Sequence, residues 1–303
     1  MINALRVGYS VLRYRGGIGQ WAWAINRVAG LGILLFLALH IVDIFIAAFG
    51  PALFDELLFL YKGPAVRLLD VVLVFGLLYH GINGLRLTLM DFKPATARIH
   101  LRLFYIQIVI FLLLFVPASL AMLNEFYGVV GGALITAVVL GSPLVVAAAS
   151  NYLPFANTNI AVSGGNYDSA LVRLASARGR PHSGFEFNMW LFMRVSGILL
   201  IFLALIHMFI LHFVISVETI TFQTVVSRWT DPAQGAFWRM YDLLLLIFAF
   251  THGINGLRNV MDDYFHSPGW RAFLKVGLFV FWFVLISMGM FIIFTFSPST
   301  FPK

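Results

Sequence analysis

The sequence predicts an all-α membrane protein of about seven spans, in which one linking transmembrane helix joins two parallel three-helix repeats. Two observations predict this architecture. Of the 303 residues, 61% are hydrophobic and only 11% are charged, whereas soluble domains average about 45–50% apolar and about 25% charged residues. One heptapeptide also occurs twice, each time inside an apolar stretch and at a matching position of the two halves.

Apolar stretches long enough to cross a bilayer recur along the whole chain. A helix needs roughly 20 residues to cross about 30 Å of hydrocarbon. The fourth such stretch is short and rich in glycine, but it is needed for the second repeat to have the same orientation as the first. The seven spans are predicted at residues 22–49, 68–90, 103–123, 128–149, 189–216, 241–261 and 272–296.

The basic residues predict the orientation of these spans. If the N-terminus is cytoplasmic, 15 of the 20 Lys and Arg residues fall in cytoplasmic segments, as the positive-inside rule requires. The first 20 residues contain three arginines and no apolar stretch, so we expect no cleaved signal peptide. The sequence therefore predicts a multi-pass protein of the cell inner membrane, with the polar stretch 151–188 as a cytoplasmic linker.

The repeat rests on two pairs of matching motifs. HGINGLR occurs at 80–86 and again at 252–258, and Arg-Val-Ala-Gly at 27–30 matches Arg-Val-Ser-Gly at 194–197. Three spans carry the chain from one side of the membrane to the other, so a parallel second copy needs one extra crossing. The predicted domains are a three-helix repeat over 1–124, a linking helix with a cytoplasmic linker over 125–187, and a second three-helix repeat over 188–303.

Four of the eight histidines lie well inside predicted spans, at equivalent positions of the two repeats, and a fifth, His212, lies near the outer end of its span. An ionisable side chain at membrane depth is costly and is usually functional. The repeat pairs His80 with His252, and His40 with His207. Two imidazoles that face each other across a helix bundle suit the iron of a non-covalently bound haem b. We therefore predict two haems b with these four histidines as iron ligands; for any one histidine, a hydrogen bond to a neighbouring helix is the alternative.

Glycines and arginines near the histidines extend this prediction. Gly84 and Gly256 lie one helical turn after a histidine, where the missing side chain gives a flat macrocycle room against the backbone. Close packing of helices is the alternative reason for a glycine at these positions. Arg27 and Arg194 begin helices at the cytoplasmic surface, either as snorkelling anchors or as ligands for haem propionates or a quinone.

The absence of cysteine excludes several kinds of redox centre from this chain. With no cysteine in 303 residues, there is no disulfide, no Cys-ligated iron–sulfur cluster, no covalently attached c-type haem and no thiol nucleophile. Redox centres held by the chain itself would have to use histidine.

Taken together, the motifs resemble those of the membrane-anchor subunits of succinate dehydrogenase and fumarate reductase. The first half, with WAWAINRVAG at 21–30 and HGINGLRLTLMDF at 80–92, resembles the C-type anchor. The second half, with WLFMRVSG at 190–197 and HGINGLRNVMDDY at 252–264, resembles the D-type anchor. Each anchor is normally a separate three-span protein, so the chain looks like a fusion of the two.

This resemblance implies a dihaem cytochrome b anchor of a succinate:quinone oxidoreductase, respiratory complex II. It places a proximal haem, the one nearer the dehydrogenase, between His80 and His252. It places a distal haem between His40 and His207. It also implies a quinone site made of Arg27, Asp263 and Tyr264. Trp23 lies at the position of this site where many members of the family have a serine.

The resemblance further implies separate partner chains. The sequence has no flavin or nucleotide fingerprint and no iron–sulfur cysteines, so the dicarboxylate chemistry would belong to flavoprotein and iron–sulfur subunits that dock on the basic cytoplasmic face. The chain would act as the membrane subunit of the enzyme, in contact with the lipid bilayer and a membrane quinone. We expect no nucleic-acid partner, and related complexes form trimers.

Two other functions fit parts of the pattern. One is the dihaem cytochrome b of another respiratory complex, such as a formate dehydrogenase or a hydrogenase. The Asp-Phe and Asp-Tyr pairs that follow the two heptapeptides at 91–92 and 263–264, and the two separable three-span units, argue against it. The other is a proton-coupled transporter that uses the buried histidines as a relay.

Overall fold

The structure is a computed structural model that describes residues 18–152, 184–215 and 217–296, with the backbone alone for 144–152. Every regular element in these residues is helical, which confirms the predicted all-α class. Short 3₁₀ and π segments connect or end the longer helices. The α-helices are α1 (Ile18–Ile46), α2 (Pro51–Leu60), α3 (Pro64–Phe92), α4 (His100–Tyr152), α5 (Gly184–Phe209), α6 (Phe222–Thr230), α7 (Gly235–Tyr264) and α8 (Pro268–Thr295).

Six stretches of the described residues are long and apolar enough to cross a membrane. The multi-pass prediction is therefore confirmed. Five of the six overlap one predicted span each, and the sixth overlaps the two spans predicted at 103–123 and 128–149. The six stretches are Ile18–Phe49, Pro64–Phe92, Pro94–Pro143, Gly184–Val214, Gly235–Tyr264 and Pro268–Thr295.

The longest helix, α4, folds back on itself at Gly128. This glycine has φ +65° and ψ 176°, a backbone conformation that interrupts a helix and that glycine adopts without steric cost. The Ser119 and Thr136 hydroxyl oxygens are 2.8 Å apart, although 17 residues of straight helix would separate them by about 26 Å. The hydroxyl of Thr136 donates to the Gly132 carbonyl, so Ser119 donates to Thr136. Residues 100–127 and 129–152 therefore form an antiparallel helical hairpin.

The chain forms two compact units: Met1–Ala29 with Leu78–Gly179, and Gly30–Leu77 with Arg180–Lys303. In the first unit, the Phe111 ring packs edge-on against Tyr79, with centroids 5.8 Å apart, and stacks on Phe115 at 5.3 Å. The division into repeats 1–124 and 188–303, with 125–187 between them, stays a prediction. Of the predicted cytoplasmic linker, residues 153–183 lie outside the described residues.

The core of the second unit depends on close helix packing at two glycines. A Cβ atom at Gly289 of α8 would lie 2.6 Å from a methyl carbon of Leu246 on α7. A Cβ at Gly253 of α7 would lie 2.8 Å from a methyl carbon of Leu34 on α1. A side chain at either glycine would require the facing leucine to move, and Phe250 lies fully buried in the same core.

Two short helices occupy loops for which the sequence predicted no element. Pro51 at the first position of α2 follows Gly50, whose φ of +107° ends the preceding segment. Helix α6 begins with a reciprocal capping box between Thr221 and Thr224. The Asp55 carboxylate of α2 accepts a 2.7 Å hydrogen bond from the backbone N–H of Phe222. This bond joins the two helices, which are too short to have been detected as spans.

A tyrosine after α2 gives the second unit a dependence on alkaline pH. Its hydroxyl, in Tyr61, donates a 2.8 Å hydrogen bond to Asp43, and burial together with this bond raises the pKa of Tyr61 from 10.0 to about 12. Because the folded pKa exceeds the unfolded one, this contribution to stability is complete below about pH 10 and is lost as the pH rises towards about 12.

We expect the thermal unfolding midpoint of the detergent-solubilised protein to fall less steeply over that pH window in Tyr61→Phe than in the parent. Tyr105→Phe, which changes an exposed tyrosine, should follow the parent curve. Identical curves for the parent and Tyr61→Phe would contradict the prediction.

Candidate haem and quinone sites

His40 of α1 and His207 of α5 lie together in the second unit. Their ring centroids are 6.3 Å apart and the ring planes meet at 74°. Bonds of about 2 Å from a metal to two imidazole nitrogens on opposite sides would place the ring centres about 6 Å apart. The spacing of this pair therefore fits two axial ligands of one iron.

An aromatic ring packs against His40, and a charged cluster lies beside His207. The Phe36 ring stacks on His40 with centroids 5.5 Å apart. The Asp242 carboxylate lies 4.0 Å from Nδ1 of His207. It accepts hydrogen bonds from Trp229 Nε1 at 2.8 Å and from the Arg228 guanidinium at 3.2 and 3.3 Å.

In the first unit, a backbone hydrogen bond determines the tautomer of His80. Its Nδ1 lies 3.0 Å from the carbonyl oxygen of Asn26. A carbonyl can only accept a hydrogen bond, so Nδ1 carries the proton. In the neutral imidazole the lone pair is then on Nε2, the nitrogen through which this histidine could ligate a metal.

The same tautomer follows for His252 in the second unit, through a serine. The Ser196 hydroxyl donates its single proton to the Phe192 carbonyl at 2.6 Å. Ser196 Oγ also lies 2.8 Å from Nδ1 of His252, so that nitrogen must be the donor. Both heptapeptide histidines thus have the proton on Nδ1 and the lone pair on Nε2.

The glycines that follow these histidines are not packed against other helices. A Cβ atom at Gly84 or Gly256 would meet no described atom within 4 Å. In this they differ from Gly253 and Gly289, where an added Cβ would meet a leucine side chain at 2.8 and 2.6 Å. The space beside Gly84 and Gly256 fits the predicted accommodation of a flat ring, which stays a prediction.

At the start of α1 in the first unit, Arg27 and Trp23 form a cation–π pair. The guanidinium carbon of Arg27 lies 4.1 Å from the Trp23 ring centroid. The second repeat has the same arrangement, because Arg194 lies 4.5 Å from the Trp190 ring. In each pair the tryptophan limits the positions that the guanidinium can adopt.

Asp263 and Tyr264 lie at the end of α7 in the second unit. Tyr264 is 52% exposed. The preceding residue, Asp262, binds Arg271 at 2.8 Å and Lys275 at 3.0 Å on α8, which fixes this corner. A quinone site that joins Asp263 and Tyr264 to Arg27 and Trp23 stays a prediction, because the two pairs of residues belong to different units. The pairing of His80 with His252 stays a prediction for the same reason.

A polar cavity of about 150 Å³ opens between α5 and α7 in the second unit. Arg258 donates to both oxygens of Glu186, at 2.9 and 2.8 Å. Guanidinium and amide groups on one cavity suit a carboxylate ligand, such as a haem propionate. The cavity is lined by Glu186, Met189, Trp190, Met193, Arg194, Asn255, Arg258 and Asn259.

Within the described residues, no three His, Asp or Glu side chains converge as they would around a free metal ion. Haem iron does not need such a cluster, because the macrocycle supplies its other ligands and two histidines suffice.

Comparison with known proteins decides the family. The family profile described as "Succinate dehydrogenase/Fumarate reductase transmembrane subunit" matches residues 8–116 and 172–297. The chain belongs to this family. It is also similar to the succinate dehydrogenase 2 membrane subunit SdhC of Mycobacterium tuberculosis, with 37% identity over 106 residues, which is 35% of this chain and 78% of that protein.

The chain is thus a membrane subunit of the succinate dehydrogenase and fumarate reductase family, which places it in an oxidoreductase complex. This confirms the resemblance inferred from the motifs. Several residues around the family's histidines were not predicted from the sequence. Ser196 replaces Ala29 of the first repeat, where the Asn26 carbonyl bonds the histidine instead. That substitution within a repeated motif was the one signal that pointed to Ser196.

The open space beside Gly256 gives a direct test of its proposed role. We expect Gly256→Leu to keep the helix, because leucine stabilises a helix interior by about 0.5–1 kcal/mol relative to glycine, and to lose haem, because its side chain would occupy the ring's position. The haem content per purified chain measures this. Gly277→Leu on α8 is the control, because a Cβ there also meets no described atom within 4 Å, and it should retain haem. Equal haem content in the parent and in Gly256→Leu would remove Gly256 from the haem site.

Proposed function

We propose that this chain is the dihaem cytochrome b anchor of a succinate:quinone oxidoreductase, passing electrons from a separate iron–sulfur subunit to a membrane quinone. The observation that carries the proposal is the tautomer shared by His80 and His252. The Asn26 carbonyl and the Ser196 hydroxyl each accept a hydrogen bond from Nδ1, and metal-ligating histidines typically donate from their other ring nitrogen to a protein acceptor in this way.

The distal histidines support the same proposal through their spacing. His40 and His207 come from different helices and lie within predicted spans, with ring centroids 6.3 Å apart. A single histidine at membrane depth is explained by a hydrogen bond, whereas two imidazoles this close together favour one partner that both can bind. An iron shared by the two imidazoles would provide that partner.

Haem b, when bound, supplies a one-electron couple in the dry interior of the membrane. The chain's own residues would bind and orient it. His80 and His252 would ligate through Nε2, Gly84 and Gly256 would leave room for the ring, and Arg194 would bind propionate at the polar cavity. We assign His40 and His207 to the second haem.

The proposed quinone site uses the residues at the cytoplasmic helix ends. The Arg27 guanidinium, positioned by the Trp23 ring, and the Tyr264 hydroxyl would donate hydrogen bonds to the quinone carbonyl oxygens. Asp263 would complete the site beside Tyr264, as the acidic member of the Asp-Tyr pair that the family resemblance implies. Trp23 would thus serve the site through Arg27, where a serine in other members would serve it directly.

The partners proposed for this chain are a flavoprotein and an iron–sulfur subunit on the cytoplasmic side of the inner membrane. The N-terminus would face the cytoplasm, and the whole complex could assemble into trimers. Under this arrangement the basic residues of the cytoplasmic segments form the docking face, since an anchor without iron–sulfur cysteines receives its electrons from another chain.

Purification of the intact complex through a tag on this chain tests the proposal. We expect flavin, iron–sulfur iron and haem b in the same preparation, with quinone reduction that depends on succinate. A chain that purifies with haem but with no flavoprotein would remove succinate chemistry from the proposal. A chain with neither haem nor partners would overturn it.

A further inference from the structure

The strongest unassigned feature is the buried carboxylate beside the distal histidine pair. Asp242 is 16% exposed and its Oδ1 lies 4.0 Å from Nδ1 of His207. Trp229 Nε1 at 2.8 Å and the Arg228 guanidinium at 3.2 Å fix the carboxylate in this position. Three hydrogen bonds to these two side chains leave it little freedom to turn away from the histidine.

The equivalent aspartate of the first repeat is used differently. Asp70 pairs with Arg67 at 3.4 Å, and Arg67 also binds Glu218 at 2.7 Å. In the second repeat the residue equivalent to Arg67 is Arg239, which binds backbone carbonyls, including that of Phe296 at 2.9 Å. The aspartate there is instead held by Arg228, and it lies beside a histidine.

We propose that Asp242 is a positioning residue for the distal haem, orienting His207 through Nδ1 and favouring the ferric iron by its negative charge. This inference rests on the proposed function, because it requires haem between His40 and His207. A carboxylate beyond a ligating histidine raises the basicity of the ligand, and a buried charge acts strongly at this range because little solvent screens it. The 4.0 Å separation makes the effect one of charge and orientation rather than of a full hydrogen bond.

Charges around Asp242 set the sign of the effect. With Asp242 present, its carboxylate offsets the positive charge of Arg228. Replacing it with asparagine removes one negative charge and so leaves the charge of Arg228 uncompensated, which favours ferrous over ferric iron. Among the described residues, the carboxylate of Asp43, three residues after His40 on α1, also interacts with the pair, and it accepts a hydrogen bond from Tyr61.

The test is Asp242→Asn in the intact complex, with optical redox titration of both haems and electron paramagnetic resonance of the ferric forms. At a fixed ambient potential we expect the ferric-to-ferrous ratio of the distal haem to fall about tenfold, which corresponds to about 59 mV for a one-electron couple. The proximal haem should not change. The ferric resonance of the distal haem should shift as well, because the His207 ring loses its constraint.

Asp70→Asn is the matched control, because it removes the equivalent carboxylate of the other repeat, and it should leave both haem potentials unchanged. Asp242→Glu keeps the charge and should keep the parental ratio.

Asp242→Asn could also lose the distal haem altogether. In that case, a distal haem with the parental potential in Asp242→Glu supports the role of the charge, and loss of the distal haem in both variants contradicts it. An Asp242→Asn complex with both haems and the parental potentials overturns the inference but leaves the proposed function intact, whereas a parent complex without distal haem overturns the proposed function.

Discussion

His252→Ala should lose the proximal haem and keep the distal one, so that the haem b content per chain falls to about half. The imidazole of His252 is held by Ser196 with its lone pair on Nε2, and alanine has no atom that could replace this ligand. The pyridine haemochrome of the purified complex measures haem per chain directly. His80→Ala should give the same result, because the proposal assigns both residues to one iron.

His100→Ala is a suitable control for this experiment. His100 also bonds a backbone carbonyl, that of Ala97, at 3.0 Å, but it is partly exposed at the start of α4. Its replacement should leave the haem content unchanged. Full haem content in His252→Ala would remove this residue from the ligand set and, with it, the assignment of the heptapeptide histidines to a shared haem.

Tyr264→Phe should slow quinone reduction by about a hundredfold without changing the haem spectrum. The proposed role of the Tyr264 hydroxyl is to donate a hydrogen bond to a quinone carbonyl oxygen as negative charge develops there, and removing one such donor typically lowers a rate by about 10²–10³-fold. The exposed position at the end of α7 makes a large effect on folding unexpected. Quinone reduction driven by succinate, with haem reduction followed in parallel, separates the quinone step from the earlier electron transfer.

Phe92 provides the matched comparison for Tyr264, because it occupies the equivalent position after the first heptapeptide. Phe92→Tyr adds the hydroxyl to the other repeat and should leave the rate unchanged. An unchanged rate in Tyr264→Phe would remove this tyrosine from the quinone site. Equal effects of the two variants would contradict a single site built from the second repeat.

The spans could be predicted from the sequence because hydropathy and length depend on local composition. The fold-back at Gly128 has a partly local cause, since a glycine between two apolar stretches permits it, but the bond between Ser119 and Thr136 that closes the hairpin depends on three-dimensional register. The short helices α2 and α6 were missed for a related reason. Their stability comes from caps and from Asp55 bonding residue 222, a contact across 167 residues.

The histidines could be found from the repeat, but their partners could not. The two repeats share an arginine and an aspartate at equivalent positions, yet Asp70 binds Arg67 whereas Asp242 binds Arg228 and Trp229. The two aspartates have different partners because Arg228 and Trp229 lie on α6, whose sequence differs from that of the corresponding helix α2. The partners of a buried charge depend on the whole packing arrangement, so a repeated motif predicts the residue and not its contacts.

The most direct measurement of the central claim is the reduced-minus-oxidised visible spectrum of the purified complex, combined with haem quantification per chain. We expect b-type bands and two haems b per chain, both reducible by succinate. A complex with no b-type band, or with bands that survive replacement of all four histidines, would contradict it.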